Sequence, residues 1–266
     1  MSFPLCEHCT AGYVLPGTPK GTMQDGAYFA SGADANRAIV LLTDAFGLDL
    51  VNSKILADQL ADTVGCDVWV PDQFGGYPLL KVEELDHIMP KRPGEKMPFT
   101  AKLSLIWTLL KHLTGFISNR PSVVDSRVKT FTMKLKSEKK YEKIGTVGYC
   151  WGGSTGIRLA STDIFDSAVI AHPGRCTTDQ IRAMKIPTSW LCAEEDRSFD
   201  PLRAEAEAIF AARKEKSDFI DYEFRDYKGT VHGFAVRPEL SIPEAKEGFE
   251  KSFEATVQWF KKTLWS

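Results

Sequence analysis

The sequence predicts an α/β protein, with one doubly wound, mostly parallel sheet and helices on both of its faces. Apolar runs of strand length alternate with helix-period segments, the order that covers a parallel sheet on both sides. No repeat, low-complexity tract or flexible linker breaks that order. With 266 residues and 43% hydrophobic composition, the chain can fill one large core but not two generous ones, so a single domain over 1–266 is expected.

Residues 1–25 read as an N-terminal arm. Strands follow at 28–31 and 38–43, the second reading Ala-Ile-Val-Leu-Leu-Thr, and a helix-period segment at 52–64 leads to a third strand, Asp-Val-Trp-Val-Pro, at 67–71. The segment 78–121 is long for one connection and rich in Pro, Lys and aromatic residues, with a helical piece at 101–113 that carries Trp107, Leu109 and Leu110. Such a length suits either a lid over a substrate site or a crossover helix preceded by a surface loop. Strands resume at 144–149, 167–171, 188–192 and 221–225, separated by helical patterns at 153–160 and 201–214 and closed by one at 243–264. Asp200 reads as the N-cap of the 201–214 helix, because Pro201 suits a first helical position.

Several function classes are excluded at this stage. A net charge of -2 and a pI near 6.2 give no global field to gather nucleic acid or an anionic membrane surface. The start MSFPLCEHCT is not a signal peptide, and apolar runs such as 38–42 and 103–110 fall far short of the roughly 20 residues a bilayer requires. A cytoplasmic protein is expected, its six cysteines reduced thiols. Cys6 and Cys9 bracket His8 in a C-x-x-C, but no second pair at matching spacing completes a four-ligand site, so no metal is expected.

The sharpest local signal is Gly148-Tyr149-Cys150-Trp151-Gly152-Gly153, directly after one apolar strand and directly before a helical pattern. It has the form G-x-C-x-G-G, a nucleophile elbow with cysteine in place of serine, in which side chains at the flanking positions would collide with strand and helix. The helix start favours a thiolate at Cys150, and the N–H of Trp151 is aimed at a carbonyl oxygen under attack. The plain alternative is a buried cysteine at a tight turn. α/β-hydrolases place nucleophile, acid and base in that chain order. Asp196 lies in the loop after 188–192, with Glu194 and Glu195 as competitors, and His232 lies late in a glycine-flanked loop where the base belongs. His8, His87 and His112 read as solvated surface; His172 ends a strand on the same sheet edge and reads as pocket lining or as a satisfied turn residue.

These residues resemble the dienelactone hydrolases, also called carboxymethylenebutenolidases, from about residue 26 to 265. The likeness rests on the cysteine elbow, Asp196 and Val231-His232-Gly233-Phe234, and extends to Thr43-Asp44-Ala45-Phe46-Gly47 and Val70-Pro71-Asp72. It implies an α/β-hydrolase fold and a hydrolase of small-molecule esters or lactones, with Cys150 as nucleophile, His232 as base and acid, and Asp196 orienting the imidazole. It also implies that the Ala45 N–H completes the oxyanion hole with Trp151 and that the acid at Asp44 contacts the resting thiol. The resemblance also implies that Arg237 is in the place of a family arginine that holds a substrate carboxylate. Segment 78–121 offers no clear second arginine, so the native substrate need not be a dienelactone. No cofactor is required, and the chain is expected as a monomer or homodimer. The rival readings are a non-catalytic binding or interaction protein that keeps the fold, and a thiol redox sensor.

Overall fold

The structure, a computed structural model, describes residues 14–85 and 87–266. The Cys6, His8 and Cys9 motif lies outside the described residues.

Eight strands form one sheet: β1 (Thr22–Gln24), β2 (Ala27–Ala30), β3 (Asp34–Leu42), β4 (Cys66–Pro71), β5 (Lys143–Tyr149), β6 (Ser167–Ala171), β7 (Thr188–Glu195) and β8 (Tyr222–Val231). Their spatial order is β1-β2-β4-β3-β5-β6-β7-β8. The first two pairings, β1 with β2 and β2 with β4, are antiparallel, and every later pairing is parallel. This is the α/β-hydrolase architecture. Part of the arm expected at 1–25 is thus an edge strand, which three residues of mixed polarity do not announce.

The helices are α1 (Asn52–Val64), α2 (Val82–Leu85), α3 (Phe99–Lys111), α4 (Leu113–Ser118), α5 (Pro121–Lys139), α6 (Trp151–Leu159), α7 (Thr178–Arg182), α8 (Asp200–Ala211) and α9 (Pro243–Thr263). Alternate strand residues feed two cores. Ile39, Leu41, Val147 and Val169 pack with α1 and α9 on one face, and Val40, Leu42, Ile144 and Ile170 with α5, α6 and α8 on the other. A buried polar thread ties one face of β4 to the segment just before β5, with Trp69 Nε1 donating to Tyr141 Oη at 2.9 Å and Tyr141 Oη donating to Asp67 at 2.7 Å.

Beyond β1, the short α7 was not expected and β7 runs on to Glu195, and two further differences are larger. Helix α5 was not expected. It buries only Val124, Val128, Thr132 and Leu135 along one thin stripe, amid lysines and β-branched residues that favour helices weakly. β8 runs on to Val231 instead of stopping at 225, because Gly229 takes φ +73° and a register shift opposite Ala193 and Glu195 lets the ladder continue. His232 therefore leaves directly from a strand end.

Candidate active site

The parallel strands all end on one edge of the sheet, and the residues singled out from the sequence follow those ends: Asp44 and Ala45 after β3, Cys150 after β5, His172 after β6, Asp196 after β7 and His232 after β8.

Cys150 takes φ +52° and ψ -110° at the head of α6, a conformation that non-glycine residues adopt only where the surroundings hold them there. The surroundings do. Its N–H donates to Ala171 O at 3.1 Å, and its carbonyl accepts from Ser154 N at 3.1 Å and Gly174 N at 2.8 Å. A Cβ on Gly148 would overlap the Gly152 carbonyl, and one on Gly152 would overlap the Leu42 and Thr43 carbonyls, so neither position admits a side chain. Those bonds also aim a donor. Because the Cys150 C=O is spoken for on one side of a trans peptide, the Trp151 N–H on the same plane points the opposite way.

The partner loop is built alike. Asp44 C=O accepts from Gly47 N at 3.2 Å, which turns the Ala45 N–H outward on its trans peptide, while Ala45 C=O accepts from Leu79 N and Leu80 N at 3.0 and 3.2 Å. Gly152 N reaches Thr43 O at 3.0 Å, stitching this loop to the elbow, and Gln73 Nε2 holds the same carbonyl at 2.9 Å. Among the described residues neither the Ala45 N–H nor the Trp151 N–H has an acceptor. Two fixed, unspent donors beside a thiol can stabilise an oxyanion.

His232 Nδ1 lies 2.8 Å from Asp196 Oδ2, and the side chain of Asp196 is almost wholly buried. The Cys150 sulfur lies close enough to the same imidazole to act on its charge, on the side away from Asp196, where Nε2 is the free ring nitrogen. Burial disfavours the charged ring, yet the Cys150 sulfur and the Asp196 carboxylate outweigh it and carry the imidazolium up to about 10. Asp196 is itself clamped. Its Oδ1 accepts Ser198 N at 3.0 Å, and its own N–H donates to Asp200 Oδ2 at 2.9 Å. The expected N-cap role of Asp200 is therefore corrected: Asp200 is the first residue of α8 and Phe199 stands at the N-cap, because the Asp200 carboxylate is taken by the Asp196 N–H. Glu194 and Glu195 point elsewhere, to Gly229 N and to Gly94 N, each at 2.6 Å.

The other residues lie differently from their sequence readings. Asp44 is fully buried; Oδ1 accepts Phe46 N at 3.1 Å and Oδ2 faces Arg237 Nε at 3.3 Å, with the guanidinium over the Phe46 ring. Burial pushes the Asp44 carboxyl up, against the downward pull of Arg237, the Phe46 amide and His232. Arg237 is thus buried on Asp44 instead of reaching into an open cleft. His172 is completely buried at φ +33°, its ring edge-on to His232 at 5.2 Å and to Phe234 at 5.6 Å. Burial, with His232 and Arg237 nearby, holds it well below the ordinary histidine value, so it packs as a neutral wall behind the His232 imidazole. Sequence reasoning missed two contacts: Gln73, which holds Thr43 O from a loop 30 residues away, and Asp200, read as an N-cap, which holds the Asp196 N–H from four residues on. Among the described residues no group of three His, Cys, Asp or Glu side chains could hold a metal, and no helix is long and apolar enough to cross a membrane.

Residues 26–264 match the model of the dienelactone hydrolase family. The chain belongs to that family. As a dienelactone hydrolase-family protein it is a hydrolase of carboxylic esters. It is 29% identical to Hydrolase pyvD of Aspergillus violaceofuscus over 99% of this chain and 98% of that one. It is 26% identical to the carboxymethylenebutenolidase homolog of Rattus norvegicus, over 88% of this chain and 85% of the relative. The crystal structure of dienelactone hydrolase from Anabaena variabilis superposes with a TM-score of 0.58 at 14% identity, covering 89% of this chain and 91% of that one, a likeness of fold.

Proposed function

We propose that this dienelactone hydrolase-family enzyme cleaves small esters or lactones with Cys150 as nucleophile, through a thioester on its sulfur. The observation that carries the reading is the line from Asp196 through His232 to a thiol held at positive φ between two unspent N–H donors. The thiolate adds to the substrate carbonyl, a C–S bond forms, and the carbonyl electron pair moves onto oxygen, where the Ala45 and Trp151 amides receive it. The oxyanion collapses, the C–O bond breaks and the alkoxide leaves with the proton of the His232 imidazolium. Water then gives a proton to His232 and attacks the thioester; the C–S bond breaks, and the thiolate returns beside a protonated ring. A lactone follows the same steps and leaves as a hydroxy acid.

The Arg237–Asp44 pair supports an uncharged substrate. A guanidinium already committed to a buried carboxylate gives a substrate carboxylate little to bind there. The chain from Asp72 to Arg120 supports a roof over the site, since Phe116 of α4 lies 6.1 Å from the Trp151 ring and Lys91 Nζ is 3.0 Å from Glu239. A free thiol is best preserved in a reducing compartment, which favours the cytosol.

The test is hydrolysis of p-nitrophenyl acetate and a panel of lactones by wild type and Cys150→Ala. The variant is expected to fold as wild type by circular dichroism and to lose turnover by at least about 10³-fold. A folded Cys150→Ala with full activity would overturn the assignment.

A further inference from the structure

Helices α3 and α4 follow one another through a single residue, His112, whose N–H closes α3 on Thr108 O and whose carbonyl opens α4 by accepting from Phe116 N, both at 3.1 Å, and the two helices expose one common apolar side. The pair lays its poorer face on the body, with Thr108, His112 and Asn119 turned inward. Its richer face looks out. Phe99, Leu103, Ile106, Leu110, Leu113 and Ile117 are each between 50% and 73% exposed, flanked by Trp107 and Leu109.

The spacing of those six residues alternates strictly between four and three. That is the seam a second helix fills with knobs into holes. It also reads the same from either end, so an antiparallel copy sets Phe99 opposite Ile117, Leu103 opposite Leu113 and Ile106 opposite Leu110. A surface that complements itself under a two-fold axis is what an isologous dimer requires. We propose that two copies of this chain pair through α3–α4, antiparallel, about a two-fold axis level with Thr108.

Area and charge favour a second copy. A large aromatic side chain offers about 150–250 Å², so eight large apolar residues at these exposures present roughly 800 Å² per molecule, the share a standard interface takes from each partner. No acid lies between 99 and 118, and Lys111 of that stretch is already tied to Glu84 at 2.5 Å, so Lys102 alone remains of the basic rim that a lipid-seeking helix carries.

Sedimentation of the full chain at micromolar concentration tests the proposal. Wild type is expected at about twice its 29.6 kDa mass, and Ile106→Glu/Leu110→Glu at the monomer mass with the wild-type circular dichroism spectrum. The register is checked separately by oxidising Ile106→Cys and Leu110→Cys chains. Mixed, they give a disulfide-linked pair; each alone does not. A monomeric wild type, a dimer that survives the double substitution, or no linked pair in the mixture overturns the proposal. So does a monomer that co-sediments with phosphatidylcholine–phosphatidylserine vesicles, which would assign the face to lipid. None of these outcomes bears on the chemistry at Cys150.

Discussion

At the scale of single residues, Cys150 stands apart from the other described thiols by its surroundings. Burial pushes Cys66 and Cys192 up to about 12 and Cys176 up to about 11, which leaves them as inert thiols at neutral pH, whereas Cys150 lies partly buried at a helix start beside an imidazole. Iodoacetamide at pH 7.5 is therefore expected to modify Cys150 first among the described cysteines, as read by peptide mass mapping; equal, slow labelling of all of them would contradict this. The His232 ring supplies a pH prediction. It carries its proton below about 10 and loses it above, so kcat/KM should hold through neutral pH and fall as the pH climbs through about 10. Asp196→Asn removes one of the two groups that raise the ring, so that fall should move to lower pH, with kcat down by roughly 10²–10⁴-fold. An unchanged alkaline limb would contradict the account. Cys150, Asp196 and His232 were legible because each carries a local signal: a glycine-bracketed turn, an acid at a strand end, a histidine beside glycine. The Asp44–Arg237 pair was not, since it joins two loops far apart in sequence, and both residues had been read as facing thiol or substrate.

At the scale of elements, the elbow works because three backbones meet where no Cβ fits. Gly152→Ala would drive a methyl into the Leu42 and Thr43 carbonyls, which belong to a strand end fixed by the sheet. We expect a loss of at least about 3 kcal/mol in urea unfolding, or no folded protein; a Gly152→Ala enzyme of wild-type stability would show that the turn is looser than described. The strand and helix order was legible because parallel strands buried on both faces leave compact apolar runs between helical periods. Lengths were less so. The extra turns of β8 depend on Gly229 at positive φ and on its partner strand, and α5 hides its four contacts in a charged stretch.

At the scale of the whole molecule, the same sheet edge collects five loops, and the long excursion after β4 touches them at two places. Phe116 leans on Trp151 at one side; Gly94 and Lys91 bond Glu195 and Glu239 at the other. Phe116→Ala should loosen the roof over the oxyanion donors, raise KM several-fold and leave the alkaline limb of the pH profile in place. A KM equal to wild type would mean that the roof plays no part in holding substrate. Sequence length alone marked this excursion as unusual, but which loops it touches is a property of the folded molecule.

The central claim is a covalent bond to one sulfur. Rapid mixing of the enzyme with excess p-nitrophenyl acetate, quenched in acid and read by peptide mass spectrometry, measures it directly. A burst of nitrophenolate matched by acetyl on the Cys150 peptide, released by hydroxylamine, is expected. Steady turnover with that peptide unmodified at every time, and acetyl found on another side chain, would contradict it.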